Sequence, residues 1–368
     1  MLQRFPGFPI FPVCLAISLA SCASAPPAAG PSSKAPAPAP KAAGARSINL
    51  LCHEGARAVR FDKVGVPEGE RPVDVALTRG FTWVLFDSGR VVQLSRSGEN
   101  LALEMRFLPV KAEIGAIAVD PLDDSVWVVS SASVNLYRIA TDGRLSTVKL
   151  QRKVEGAGGF SGLLVARDAI YAQPTCAESA VWRLDRAGKL LGTAFNAPPR
   201  NAEEESQVYQ AGNPAQDACY SVRLERDQQG HILAWNRREQ KTYEVDGEGR
   251  WNPSESRLFA HFREAGQDLA LKVLDAGEQS EQWYFQGVSG SLFFWKGRPV
   301  FVGNFTAKER GRGNDTVLYL PGEDAAQEIL MTCNGFAVRR VATDSTGYTA
   351  VTDRFLILGE VASAPDLP

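Results

Sequence analysis

An all-β domain is what this sequence predicts, and three observations lead there. Past residue 46, apolar and polar residues alternate in short runs, and helical periodicity is scarce. The runs are cut by Gly, Asp, Asn and Pro, the residues of tight turns. Sets of four runs recur at intervals of about 40–47 residues, the signature of a β-propeller made of four-stranded antiparallel blades. One such sheet cannot bury both faces alone, and packing blades around an axis solves this.

Residues 114–150 form the most regular unit. Gly115, Ala116, Ile117, Ala118, Val119 and Asp120 open it, and Pro121, Leu122, Asp123 and Asp124 make a turn. Val126–Trp127–Val128–Val129 and Leu136–Tyr137–Arg138–Ile139 follow, and Thr141–Asp142–Gly143 turns into a fourth run at 145–150. Earlier, runs at 72–77, 81–85 and 90–94 make a first unit. Later units begin near Gly162, Tyr220, Ser289 and Gly335. Six blades are therefore expected. The stretch 251–287 offers a degenerate seventh as the alternative. Closing the ring needs an N-terminal strand in the last blade, because that unit shows only three clear runs; 47–52 and 58–64 are the candidates.

The chain starts differently. Arg4 precedes a proline-broken apolar stretch, too short for a convincing spanning helix, that ends in Leu19–Ala20–Ser21–Cys22. That ending resembles the lipobox of bacterial lipoproteins. The resemblance implies a signal peptide over 1–21, acyl chains (palmitate among them) on Cys22, and an address in the cell envelope. With Ala23 rather than aspartate after the cysteine, the outer membrane is favoured over the inner. Several acyl chains hold a soluble domain on a bilayer where one binds only reversibly. The stretch 22–45, rich in Ala, Pro and Ser, cannot bury a core and reads as a tether. The propeller is then expected over 46–361, with a short tail over 362–368.

Six cysteines are present, two of them at Cys14 and Cys22. The other four, Cys52, Cys176, Cys219 and Cys333, suit disulfides in an exported domain. Cys52–Cys333 would staple the N-terminal strand to the last blade, and Cys176–Cys219 would join the third and fourth units. Buried free thiols are the alternative. No pair has the spacing of a redox or zinc motif.

The net charge of −2 argues against a nucleic-acid binder, which needs a basic face. The three histidines leave little for a histidine metal site. Function in this architecture concentrates at the central mouth. Where the first strands begin, the candidates are Arg71, Asp74, Glu113, Phe160, Asp217, Tyr220, Ser289 and Asn334. Trp83, Trp127 and Trp235 occupy the second run and read as packing between blades. Trp251, Trp283 and Trp295 fall in irregular stretches and are candidates for a ligand or glycan platform.

The blade wording of Gly–apolar–Ala–Val–Asp, a turn, Val–Trp–Val, then apolar–Arg–apolar resembles NHL-type propellers, most clearly over 114–145. SMP-30-type lactonases, a related group, hold a metal with Glu, Asn and Asp. By that likeness Asp74, Glu113, Asp217 and Asn334 would cage an axial calcium ion, although the family's motif strings are absent. Virginiamycin-lyase-like propellers use a histidine, and His53, His231 and His261 do not fall where a first strand begins. No cofactor is expected otherwise. The expected function is a monomeric, membrane-anchored binding or scaffold module for an envelope protein, peptide or glycan. A metal-dependent hydrolase or lyase is the alternative.

Overall fold

The computed structural model describes residues 51–96, 102–151, 158–175, 179–196, 222–226, 230–236, 241–246, 248–253, 283–296, 298–307, 315–320, 327–331 and 338–362. The leader, the tether, Cys22, Cys176, Cys219, Cys333, His261 and the insert 197–221 lie outside the described residues.

Every sheet is antiparallel and four-stranded, and six lie among the described residues. After β1 (Arg57–Arg60) comes blade 1, with β2 (Pro72–Leu77), β3 (Phe81–Phe86), β4 (Arg90–Ser95) and β5 (Ala102–Phe107). Blade 2 has β6 (Gly115–Val119), β7 (Val126–Ser130), β8 (Ser133–Ile139) and β9 (Leu145–Val148). Blade 3 has β10 (Phe160–Val165), β11 (Ile170–Pro174), β12 (Ser179–Leu184) and β13 (Leu190–Asn196). Blade 4 has β14 (Val222–Arg226), β15 (Ile232–Asn236), β16 (Lys241–Val245) and β17 (Trp251–Pro253). Blade 5 has β18 (Trp283–Trp295), β19 (Arg298–Ala307), β20 (Asp315–Leu320) and β21 (Gln327–Met331). Blade 6 has β22 (Val338–Thr343), β23 (Gly347–Thr352) and β24 (Phe355–Glu360).

The fourth strand of blade 6 is β1, in register Arg57 opposite Leu358 through Arg60 opposite Phe355. Of the two stretches expected to close the ring, the later one therefore pairs, and only in part. Phe61–Val64 turns into a 3-10 helix that ends on Gly65 in the left-handed region, at φ 79°. Leu51, in the earlier stretch, is fully buried against blades 5 and 6 without joining a strand, and its carbonyl accepts a hydrogen bond from Tyr348 Oη at 2.9 Å. Cys52 is disulfide-bonded, to a partner outside the described residues.

The first strands neighbour one another in a cycle: β2, β6, β10, β14, β18, β22 and back to β2. The apolar clusters sit between blades rather than inside them. Trp83, Leu85 and Val91 of blade 1 meet Ile117, Val128 and Tyr137 of blade 2. Trp127 and Val129, on the other face of β7, meet Phe160, Ile170 and Trp182 of blade 3. Both faces of a second strand are thus covered, which is why these strands read as unbroken apolar runs.

The stretch 251–287 does not carry a separate blade at its ends. Trp251–Pro253 completes blade 4, and Trp283 begins blade 5; residues 254–282 lie outside the described residues. The platform reading of the tryptophans is corrected for two of them. Trp251 packs edge-on against Tyr171 and Phe195, with ring centroids at 5.7 and 5.2 Å. Trp295 is fully buried against Tyr348, at 5.2 Å. Trp295 is a core residue between blades 5 and 6, and Trp251 is a partly buried one that packs on the cluster between blades 3 and 4.

Candidate functional site: the central channel

A first strand has a pairing partner on one side only. Its other edge faces the axis with a row of unpaired N–H and C=O groups. Side chains from neighbouring blades meet several of these. Asp74 Oδ2 accepts the Ile117 N–H of blade 2 at 3.0 Å. Gln173 Nε2 donates to the Val222 carbonyl of blade 4, Arg226 Nη1 to the Val165 carbonyl of blade 3 at 3.4 Å, and Thr343 Oγ1 to the Phe294 carbonyl of blade 5 at 2.7 Å. Inside this scaffold runs a channel of about 1170 Å³, lined by residues of all six first strands.

The channel has two rims. At the far rim, where first strands end, aspartates and arginines clasp successive blades. Asp120, only 1% exposed, follows β6 and binds Arg186 of blade 3 through both oxygens, at 2.7 and 2.8 Å. It also accepts the Trp127 indole N–H at 3.2 Å and the Leu122 N–H at 3.0 Å. Burial works against its ionised form, but the Arg186 hydrogen bonds and these N–H donors outweigh burial, and its pKa lies below the usual carboxylate value. Asp344 follows β22 and repeats the device, paired with Arg96 of blade 1, and its pKa is lowered in the same way. Asp168 follows β10 and pairs with Arg183 at 2.9 Å; Arg183 reaches on to the Glu248 carbonyl of blade 4 at 3.1 Å.

Nearer the other rim lies Asp74, the third residue of β2. Its Oδ1 is 3.7 Å from Arg340 Nε on β22, beyond hydrogen-bond length. Here burial wins over the Arg340 charge and the Ile117 and Val75 N–H groups, and the carboxyl is pushed above its ordinary value.

The sequence-derived candidates separate clearly. Asp74 lines the channel. Phe160 does not: it is fully buried between blades 2 and 3, edge-on to Trp182 at 5.7 Å. This corrects its reading as a mouth residue; the first position of β10 points between blades, where an aromatic ring fills the wedge. Arg71 and Glu113 are exposed and outside the channel lining; Arg71 is fixed by its backbone, whose N–H donates to Asp87 Oδ1 at 3.0 Å. Asp217, Tyr220 and Asn334 lie outside the described residues, and Ser289 falls within β18. The described half of the calcium cage does not suit a cation, since Asp74 faces a guanidinium and Glu113 lies elsewhere. Among the described residues no group of three His, Cys, Asp or Glu side chains is placed to hold a metal.

Most of the charged lining escaped the sequence reading, Arg340 and His231 included. Arg340 stands at the strand position of Asp74 and Ile117, and a charge at an otherwise apolar position was the available signal. His231 lines the channel from the β14–β15 hairpin, at the far rim rather than where strands begin.

No protein-family model matches the chain, and no curated protein matches it. Solved structures match in fold. A streptogramin B lyase aligns at 9% identity over 83% of this chain and 98% of its own, with a TM-score of 0.51. A catalytically inactive virginiamycin B lyase from Staphylococcus aureus, solved with quinupristin, gives the same values. A candidate gluconolactonase aligns at 10% identity over 88% of this chain and all of its own, with a TM-score of 0.50. Likeness at this identity carries architecture and no chemistry. The chain is a β-propeller of four-stranded antiparallel blades around a polar channel.

Proposed function

We propose that this chain is an envelope lipoprotein, held on a bacterial membrane through acylated Cys22 and the 22–45 tether, that binds a protein, peptide or glycan partner in its channel. The outer membrane is the favoured site, and the monomer is the working unit. The observation that carries the binding reading is the channel itself: about 1170 Å³, built from every first strand, with its rim aspartates already matched by arginines. Such a lining offers shape and fixed polar groups for recognition. The Cys52 disulfide is assigned to Cys333, which is supported by the packing of Leu51 and Cys52 against Trp295, Val300 and Val338. Cys176–Cys219 remains the second inferred pair.

The test is affinity capture from envelope membranes with the acylated protein, beside a Cys22→Ala control and an Asp74→Ala/Arg340→Ala channel double variant. Recovery of one partner by the wild type alone supports the reading. Equal recovery by all three, or by none, overturns it. Palmitate labelling that survives Cys22→Ala would remove the anchor.

A hydrolase or lyase reading has one observation in its favour, the presence of His231 on the channel wall. Turnover of a lactone or cyclic depsipeptide that is abolished by His231→Ala would establish it over the binding reading.

A further inference from the structure

Each blade has a second free edge, on its outer strand. Among the described residues, β5, β9, β13, β17, β21 and, in blade 6, β1 pair on one side only. Native outer edges are guarded by short length, charge or proline. β9 and β1 have four residues, and β17 has three, ending on Pro253. β5 carries Glu104 and Arg106, and β21 carries Glu328. β13 has seven residues, Leu190–Asn196, with neither a charge nor a proline. Its guard is geometric. A register shift leaves Leu191 opposite no residue of β12, and Phe195 takes a left-handed φ of 57°, so the regular edge is Gly192–Ala194. The two or three backbone hydrogen bonds available there hold a passing strand only weakly.

A pocket lies at that same point. Gly192 stands opposite Arg183 and shares a face with Ala194, toward blade 4. A Cβ on Gly192 would meet nothing within 4 Å, and the space is a crevice of about 200 Å³ between β13 and the β16–β17 hairpin. Val181, Ala194, Leu191 and the half-buried Trp251 give it apolar walls, and Leu191 is 45% exposed. Its ionic groups are matched already: Arg183 by Asp168 at 2.9 Å and by the Glu248 carbonyl, and Glu248 by Arg250 at 3.1 Å. The crevice therefore asks for no charge from outside.

We propose that this crevice and the Gly192–Ala194 edge form a docking site for an uncharged, extended peptide segment. Its backbone pairs with the edge, and one leucine-sized apolar side chain fills the space above Gly192. The volume suffices, since an apolar cavity of roughly 150 Å³ takes a benzene-sized guest. Neither half is enough alone: the edge is too short, and the pocket sets which segment is held. The site is on the perimeter of the ring and does not depend on the channel reading.

The experiment is ligand-observed NMR on the full chain with four acetylated and amidated probes of sequence Ser-Thr-Xaa-Thr-Ser, where Xaa is Leu, Ala, Glu or Lys. The Leu probe should bind, the Ala probe about tenfold more weakly, and the Glu and Lys probes more weakly still. N-methylated forms of the Leu probe read the strand pairing, because an extended chain presents alternate N–H groups to opposite sides. Methylation of either the Leu nitrogen or the two Thr nitrogens should cost about tenfold or more, while the other pattern is tolerated. Gly192→Val, which has room for its side chain, should keep the unfolding midpoint and erase the preference for Leu over Ala. Should the midpoint fall, Gly192→Ala carries the test, with a reduced preference expected. Equal binding of all four probes, loss with both methylation patterns or with neither, or a Leu preference that survives both variants would overturn the proposal. Binding by no probe would overturn it too. Self-association of the chain that Gly192→Val abolishes would give the edge to a second copy and overturn the peptide assignment.

Discussion

Asp120, fully buried, and Asp74, partly exposed to the channel, are aspartates of neighbouring blades, and the protein treats them oppositely. Asp120 receives four donors, two of them from one guanidinium, and is held ionised. Asp74 receives backbone N–H groups and a distant guanidinium, and burial pushes it toward neutrality. The first fastens blade 2 to blade 3. The second leaves polar capacity facing the channel. A buried charge with full hydrogen bonding belongs to the scaffold; one with partial matching is available to a ligand.

The contrast breaks most visibly by removing the well-matched member. Asp120→Ala takes the carboxylate from Arg186, which keeps its bonds to the Ala166 and Arg167 carbonyls, and leaves the Trp127 indole without its acceptor; it should cost about 3 kcal/mol in urea unfolding, the low end for a buried pair. A loss below about 1 kcal/mol would mean the clasp is ornamental. At the seam of the ring, Cys52→Ser should cost roughly 2–4 kcal/mol, with a matching loss on reduction of the wild type. Unchanged unfolding under reducing conditions would show that β1 pairing suffices.

A smaller effect separates two tryptophans that share a blade position. The Trp127 indole N–H donates to Asp120, whereas Trp83 Nε1 is buried with no hydrogen-bond partner among the described residues. Blade 1 has Thr78 after its first strand, and its hydroxyl turns to the Phe81 carbonyl. Trp127→Phe should therefore cost about 1 kcal/mol more than Trp83→Phe. Equal costs would place both tryptophans on packing alone.

The smallest effect is the most specific. Asp120 has a depressed pKa, so its stability is present above the unfolded-state value of about 3.9 and is lost as pH falls toward the folded value. Asp74 has a raised pKa, so its contribution is complete below about 3.9 and is lost as pH rises through the folded value. The cost of Asp120→Asn should shrink on acidification. Asp74→Asn should be near neutral in acid and become relatively stabilising toward pH 7. Parallel pH profiles for the two variants would mean that the two sites are not electrostatically distinct.

Much of this was legible in the sequence. Val126–Trp127–Val128–Val129 announced a strand packed between blades, and Asp142–Gly143, Asp185–Gly188 and Asp246–Gly247 announced turns; in the last of these the left-handed glycine described is Gly249. In those turns Asp142, Asp185 and Asp246 accept N–H groups through their side chains, and Gly143, Gly188 and Gly249 take φ of 77–81°. These signals are local, so one sequence suffices to read them. The site was harder. Asp74 was found because it follows a strand start, but Phe160 stands two places earlier in its strand, at the position of Pro72 and Val338, which are buried as well; a bulge after that position, in all three strands, separates the buried residue from the one that faces the channel. Arg340 and Asp74 lie far apart in the chain, and only ring closure makes them neighbours.

Closure also sets a time order. A chain made from its N-terminus releases β1 first, yet its partner β24 comes almost last. Throughout synthesis β1 has no edge to pair with, and the apolar set Val59, Phe61, Val64 and Val66 has only blade 1, through Val84, Phe86 and Val92, to cover it until Val351, Leu356 and Leu358 arrive. The ring can finish only when the chain is complete, so truncation anywhere before residue 355 should leave not a shorter propeller but an open one with two adhesive edges.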